Sequence, residues 1–180
     1  GEGLMAVVAD AEAVAAAIAR VADGIAASVG DATRWALVGI RDGGSPLADA
    51  LAAQLAGRTR CAPRRGDVDI TLYRDDRYTG LEKPVLGETD LPFEVSGCGI
   101  VLVDDVLFTG RTVRAAMDEL LDYGRPAFIR LAVLVDRGHR ELPIASDFCG
   151  MSLSTALEDR VRVDWAKRTV RIEASAKAAG

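Results

Sequence analysis

The run Ile100-Val101-Leu102-Val103-Asp104-Asp105-Val106-Leu107-Phe108-Thr109-Gly110-Arg111-Thr112 constrains this chain more than any other stretch. Four apolar residues in succession after Gly99 predict a buried central strand, Gly99–Val103, with two acids at its end. The Thr-Gly-Arg-Thr turn then opens Thr112–Tyr123, where Val113, Ala116, Met117, Leu120 and Leu121 recur at helical spacing. Two carboxylates therefore stand at the carboxyl end of a strand, one short loop before a helix. Ligands of open α/β sheets bind at that end of the strands.

The chemistry open to such a loop follows from its parts. Backbone N–H groups of a first helical turn point outward without intrahelical partners, and the helix dipole makes that end positive. Gly110 lets a phosphate approach the backbone, and Thr109 and Thr112 offer hydroxyl donors. Asp104 and Asp105 can accept from vicinal hydroxyls or hold hydrated Mg²⁺. A phosphate turn beside a diol-binding acid pair describes a ribose-5-phosphate site. The competing reading is a plain helix, capped by Thr109, after a strand that ends in surface acids.

Along the chain, apolar spacing predicts a helix at about residues 9–29 and a strand at Trp35–Ile40. After the loop Arg41-Asp42-Gly43-Gly44-Ser45, Pro46–Leu55 reads as a helix with Ser45 as N-cap. Val68–Arg74 alternates as a strand, and residues 75–92 read as a long polar loop. Ala127–Val135 completes a β-α-β unit, and short strands near Asp147–Gly150, Arg160–Val163 and Val170–Ile172 follow. Alternating strands and helices mean an α/β fold with a mostly parallel central sheet flanked by helices.

With 180 residues, one domain spanning 1–180 is expected; Gly1 to Leu4, ahead of Met5, read as a foreign remnant. No apolar run reaches membrane-spanning length and no leader is visible, which predicts a cytoplasmic chain without membrane partners. Three cysteines, Cys61, Cys98 and Cys149, and a single histidine lack zinc-ligand spacing, so the thiols read as inert. A net charge of −5 argues against general polyanion binding. Arg58, Arg60, Arg64 and Arg65 nevertheless cluster, as a solvated loop or as a local nucleic-acid contact.

The Ile100–Thr112 string resembles the phosphoribosyl diphosphate (PRPP) signature of type I phosphoribosyltransferases. Leu134-Val135-Asp136-Arg137-Gly138-His139-Arg140-Glu141-Leu142-Pro143-Ile144 is similar to the hallmark of the PyrR family, bifunctional pyrimidine operon regulators with uracil phosphoribosyltransferase activity. Asp69-Ile70-Thr71-Leu72-Tyr73-Arg74-Asp75-Asp76 and Leu37-Val38-Gly39-Ile40-Arg41 resemble the same family in the same order, so the likeness runs from about Ala11 to about Val163.

The resemblance implies the type I phosphoribosyltransferase fold with a flexible hood loop. It implies a reaction of uracil with PRPP to UMP and pyrophosphate, with Mg²⁺ as cofactor. It further implies UMP or UTP sensing, a messenger RNA leader hairpin as partner and a homodimer or larger homo-oligomer. By the same route Asp104 and Asp105 hold ribose hydroxyls and Mg²⁺, directly or through water, and Thr109, Gly110, Arg111 and Thr112 hold the 5′-phosphate. The loop Arg41, Asp42, Gly43 and Gly44 corresponds to the pyrophosphate loop, which contains a non-proline cis peptide in the family. The usual Thr-Arg-Gly there is replaced by Asp42-Gly43-Gly44, which removes a cation and adds an acid. Arg74 leads the hood and stands near pyrophosphate as a third catalytic residue. Asp136, Arg137, His139, Phe108 and Phe148 frame the base; His139 is either such a contact or a structural turn residue. Where purine-using relatives carry Asp, Phe108 can neither accept nor donate a hydrogen bond, which favours a pyrimidine. Met151-Ser152-Leu153-Ser154 replaces the usual Lys-Asn-Ile-Pro. A nucleotide-binding paralogue with little turnover is the alternative that the changed pyrophosphate loop raises. The RNA contact, if built from the arginine cluster, rests on Arg58, Arg60, Arg64 and Arg65.

Overall fold

A computed structural model describes residues 4–70 and 88–175. A parallel five-stranded sheet forms its centre, in the order β3(Arg64–Val68), β2(Trp35–Ile40), β4(Gly99–Leu107), β5(Phe128–Asp136), β6(Phe148–Ser152). Residues of β2 alternate between two cores, as a strand buried on both faces must. Trp35 and Leu37 join Val101, Val103, Ala132 and Leu134 beneath α1(Ala11–Val29) and α2(Gly44–Leu55). Ala36, Val38 and Ile40 join Ile100, Leu102 and Val133 beneath α3(Arg111–Leu121). Each fully buried Leu or Ile contributes about 1.5–3 kcal/mol, so these two layers carry the stability of the fold.

A separate antiparallel sheet, in the order β1(Met5–Ala9), β8(Thr169–Glu173), β7(Arg160–Asp164), was not expected as a sheet. Its first strand escaped the sequence reading because four of its five residues are exposed, which leaves no alternation to detect. The first helix starts at Ala11, where the Asp10 carboxylate accepts from Ala13 N at 2.8 Å.

Three other boundaries differ from expectation. The strand placed at Val68–Arg74 lies instead at Arg64–Val68 and pairs in parallel with Ala36–Ile40; residues 71–74 fall outside those described. It is an edge strand, and an edge tolerates the charged residues that hid it. The second helix begins at Gly44, so Ser45 is inside it rather than its cap; Ser45 Oγ donates to Asp67 at 2.6 Å. Finally, β4 runs through both acids to Leu107, because β5 keeps pairing with it as far as Leu107↔Asp136.

Candidate active site

The carboxyl ends of β2, β4 and β5 meet along one edge of the sheet. Asp104 is 7% exposed and Asp105 half-buried there. Asp105 N donates to Asp104 Oδ1 and Val106 N to Asp105 Oδ1, both at 2.8 Å, which fixes one oxygen of each carboxylate. Asp105 lies on the α2 side: a Cβ on Gly43 would overlap its carboxylate, with Cγ 2.5 Å and Oδ1 2.7 Å away.

Loop 41–44 therefore abuts the acid pair directly. The Arg41–Asp42 peptide is cis, as the family resemblance implied. The Arg41 guanidinium is engaged within the fold: it donates to Glu88 O and lies 3.7 Å from Asp67 Oδ2. Asp67 also accepts from Ser45 Oγ and, at 2.9 Å, from Arg65. Arg65 further bonds Asp49, and so braces the loop from behind rather than facing outward. Gly44 is needed for close approach, because a Cβ there would overlap the carbonyl of Val103.

On the other side of Asp105, Phe108-Thr109-Gly110 leads into α3. Gly110 has φ +92°, a conformation that L side chains rarely adopt, and it caps the helix without a side-chain bond. Thr109 Oγ1 accepts from Arg111 N at 3.2 Å, while Thr109 O accepts from Glu141 N and Leu142 N. Arg111 Nε donates to Glu141 at 2.9 Å, and both side chains are more than half exposed. Thr109, Gly110, Arg111 and Thr112 thus form one turn, a few residues beyond Asp104 and Asp105 at the end of β4.

The segment after β5 carries the remaining candidates. Asp136 accepts from Gly138 N at 2.9 Å and from Arg140, so both its oxygens serve the turn itself. Burial pushes its carboxyl up, but the Arg140 hydrogen bond, the Gly138 N–H and the Arg140 charge outweigh this and hold it below the usual carboxylate range. Arg140 also donates to Phe108 O at 2.6 Å and Ile144 O at 2.8 Å, and so ties the loop before α3 to this segment. Sequence reading missed Arg140 as a positioning group, although its place four residues after Asp136 hinted at it.

Arg137 is 5% exposed and donates to Asp159 O at 2.7 Å and Ala156 O at 2.8 Å. Burial lowers its pKa, and Asp159 opposes that shift. His139 has φ +63°, and its Nε2 donates to Thr155 O at 2.6 Å. Its ring stands edge-on to Phe108, with centroids 5.9 Å apart. Val106, Phe108 and Arg137 form one wall of a cleft of about 490 Å³, and residues 157–162 form the other. Sequence reading missed that second wall entirely.

One expected site residue is not brought here. Phe148 opens β6 level with Ala132, packs beside Gly24 of α1 and joins the core. At ~3.3 Å per residue that is roughly 13 Å short of the sheet's carboxyl edge, so it does not frame the site. Arg74 lies outside the described residues, as do residues 75–87 of the expected hood. The arginine cluster is partly neutralised, since Arg58 pairs with Asp23 at 2.6 Å and Arg65 is held as above; Arg60 and Arg64 are exposed. Among the described residues no group of three metal-ligating side chains occurs, and all three cysteines are free.

The family model for the phosphoribosyl transferase domain matches residues 7–164. The Bifunctional protein PyrR of Roseiflexus sp. (strain RS-1) is 52% identical over 152 residues, covering 84% of this chain and 83% of that protein. The Bifunctional protein PyrR of Geobacter sulfurreducens is 54% identical over 127 residues, or 71% and 72% of the two chains.

The chain belongs to the PyrR family of phosphoribosyltransferases.

Its function is that of the family, pyrimidine operon regulation with uracil phosphoribosyltransferase activity. Hypoxanthine phosphoribosyltransferase of Trypanosoma cruzi in complex with IMP has a TM-score of 0.72 at 16% identity, over 96% of this chain and 91% of that one. The relation to that purine enzyme is one of fold. No helix among the described residues is long and apolar enough to cross a membrane.

Proposed function

We propose that this PyrR-family chain joins uracil to the ribose of PRPP along the edge where β2, β4 and β5 end, releasing pyrophosphate and forming UMP. The observation that carries the reading is the juxtaposition of three loops. The Thr109–Thr112 turn, the Asp104–Asp105 pair and loop 41–44 stand side by side, linked by the Gly43–Asp105 contact. In this reading Thr109, Gly110, Arg111 and Thr112 bind the 5′-phosphate at the start of α3, where backbone donors and the helix dipole favour an anion. Asp104 and Asp105 orient the ribose hydroxyls. Gly43, Gly44 and the cis peptide before them face the pyrophosphate.

The base sits in the cleft walled by Val106, Phe108 and Arg137, where Phe108 offers no acid for a purine ring. The C1 centre acquires positive charge as its bond to pyrophosphate breaks. The acid pair stabilises that charge and holds the geometry, which are the two largest contributions open to such a site. Two adjacent carboxylates, each with one oxygen already accepting an N–H, do not form a resident metal cage. They do fit hydrated Mg²⁺ arriving with the phosphates, since that ion keeps waters and takes few protein ligands. When bound, it neutralises the departing pyrophosphate.

Radiolabelled uracil, hypoxanthine and orotate, each offered with PRPP and Mg²⁺, test the reaction and the base together. Incorporation of uracil alone is expected; equal incorporation of hypoxanthine overturns the pyrimidine reading.

A second reading has a specific observation behind it. The single arginine of loop 41–44 is already engaged with Asp67 and Glu88 O. The chain then acts chiefly as a UMP- or UTP-sensing regulator that binds a messenger RNA leader hairpin as a homodimer or larger assembly, with little turnover. A gel shift with a pyrimidine-operon leader hairpin, with and without UMP, tests it; no nucleotide-sensitive shift would leave the enzyme alone.

A further inference from the structure

Gly43 has φ −64° and ψ −32°, a backbone that any residue adopts, so glycine is not required there by conformation. What it supplies is space. The Asp105 carboxylate fills the volume that a Cβ at position 43 would take, immediately before the first residue of α2. The positive end of that helix and the loop before it therefore already face an anion, one that belongs to the chain itself. The surroundings strengthen this. Arg41, the sole basic residue of loop 41–44, points at Asp67 and Glu88 O, and Asp42 adds an exposed carboxylate.

We propose that Gly43 is a specificity-determining position: by seating the Asp105 carboxylate against loop 41–44, it makes the site select ribonucleoside 5′-monophosphates over ligands that place pyrophosphate at this loop. A 5′-monophosphate puts its charge at the Thr109–Thr112 turn and nothing at loop 41–44, so it meets no repulsion. Pyrophosphate meets a carboxylate where it would have to bind. The inference rests on the proposed assignment of these two loops, and it explains how one pocket favours the sensed nucleotide over the substrate.

The test is calorimetric titration of the full chain with UMP and with inorganic pyrophosphate, in the presence of EDTA, for the native protein, Asp105→Asn and Gly43→Ala. Asp105→Asn removes the charge and keeps the shape, so pyrophosphate should bind at least tenfold more tightly than to the native chain. Gly43→Ala pushes the carboxylate off the loop and should tighten pyrophosphate in the same direction. Native UMP binding with equal pyrophosphate affinity in all three proteins overturns this inference alone. A native chain that binds no UMP overturns the functional reading and this inference with it.

Discussion

The guanidinium of Arg137 lies 4.0 Å from the ring centre of Phe108. The same guanidinium donates to two carbonyls of the 156–159 turn, so one buried side chain joins the segment after β5 to the far wall of the cleft. Arg137→Met keeps the apolar stem but abandons both carbonyls and the stacked charge. The loss should be about 3 kcal/mol. At ~2–4 °C per kcal/mol, the melting temperature should fall by about 6–12 °C. Differential scanning calorimetry gives the answer, and an unchanged melting temperature would show that the turn stands without this residue.

Asp136 gives a pH dependence whose sign can be worked out. Burial alone would raise its carboxyl, but its bonds to Arg140 and Gly138 bring it below its ordinary value. A carboxyl depressed in the folded state adds stability above its unfolded value, near 3.9, and that stability is lost as pH falls through the folded value. Urea unfolding of native protein and Asp136→Asn should therefore differ by a constant amount above about pH 5 and converge in stronger acid. A gap that widens on acidification would contradict the assignment.

Asp104 and Asp105 are expected to matter for rate rather than fold. Their replacement together by Asn keeps volume and hydrogen-bonding reach but removes the charge that the proposed function places against the ribose. Turnover of uracil with PRPP should drop by about 10²–10³-fold, the usual cost of losing such stabilisation. Thermal unfolding of the same double variant should shift by only a few degrees. Retained turnover would mean that the diol is held elsewhere.

How much of this was legible beforehand depends on what each residue's partner is. Trp35–Ile40 was read residue for residue because six buried residues in a row leave no other choice. The acids were put beyond β4 because a carboxylate looks like an end; only the continued pairing with β5, a distant segment, carries the strand through them. Arg64–Val68 was passed over because an edge strand need not look apolar. Gly43 was read as a missing cation, which its neighbours in sequence permit; the contact that gives it meaning comes from Asp105, far along the chain. Phe148 was assigned by resemblance to the base, and the register of β6 against β5 moved it into the core.

The arginine cluster makes a prediction that separates its members. Arg60 and Arg64 are exposed, whereas Arg58 and Arg65 are paired with carboxylates. If the leader RNA is held through this face, Arg60→Gln and Arg64→Gln should each weaken binding for all sequences alike and lower the salt slope by about 1. Their melting temperatures should not change. Arg65→Gln should instead lower the melting temperature, because it unties Asp49 and Asp67. Filter binding across salt concentrations decides, and an unaltered slope in both exposed variants would move the RNA site off this face.

Gly43 and Gly44 are neighbours with opposite tolerance for a methyl group. At Gly44 the added Cβ would meet backbone: the Val103 carbonyl, with Val103 C at 3.0 Å and Asp104 Cα at 3.1 Å. The backbone of β4 cannot rotate away, so α2 must lift from the sheet, at a cost of about 1–3 kcal/mol or more. At Gly43 the added Cβ meets only the end of the Asp105 side chain, which can turn. Gly44→Ala should therefore melt several degrees below Gly43→Ala, and it should also weaken UMP binding because β4 carries Asp104 and Asp105. Equal melting temperatures would mean that α2 does not rest on β4 as closely as the Gly44–Val103 contact implies.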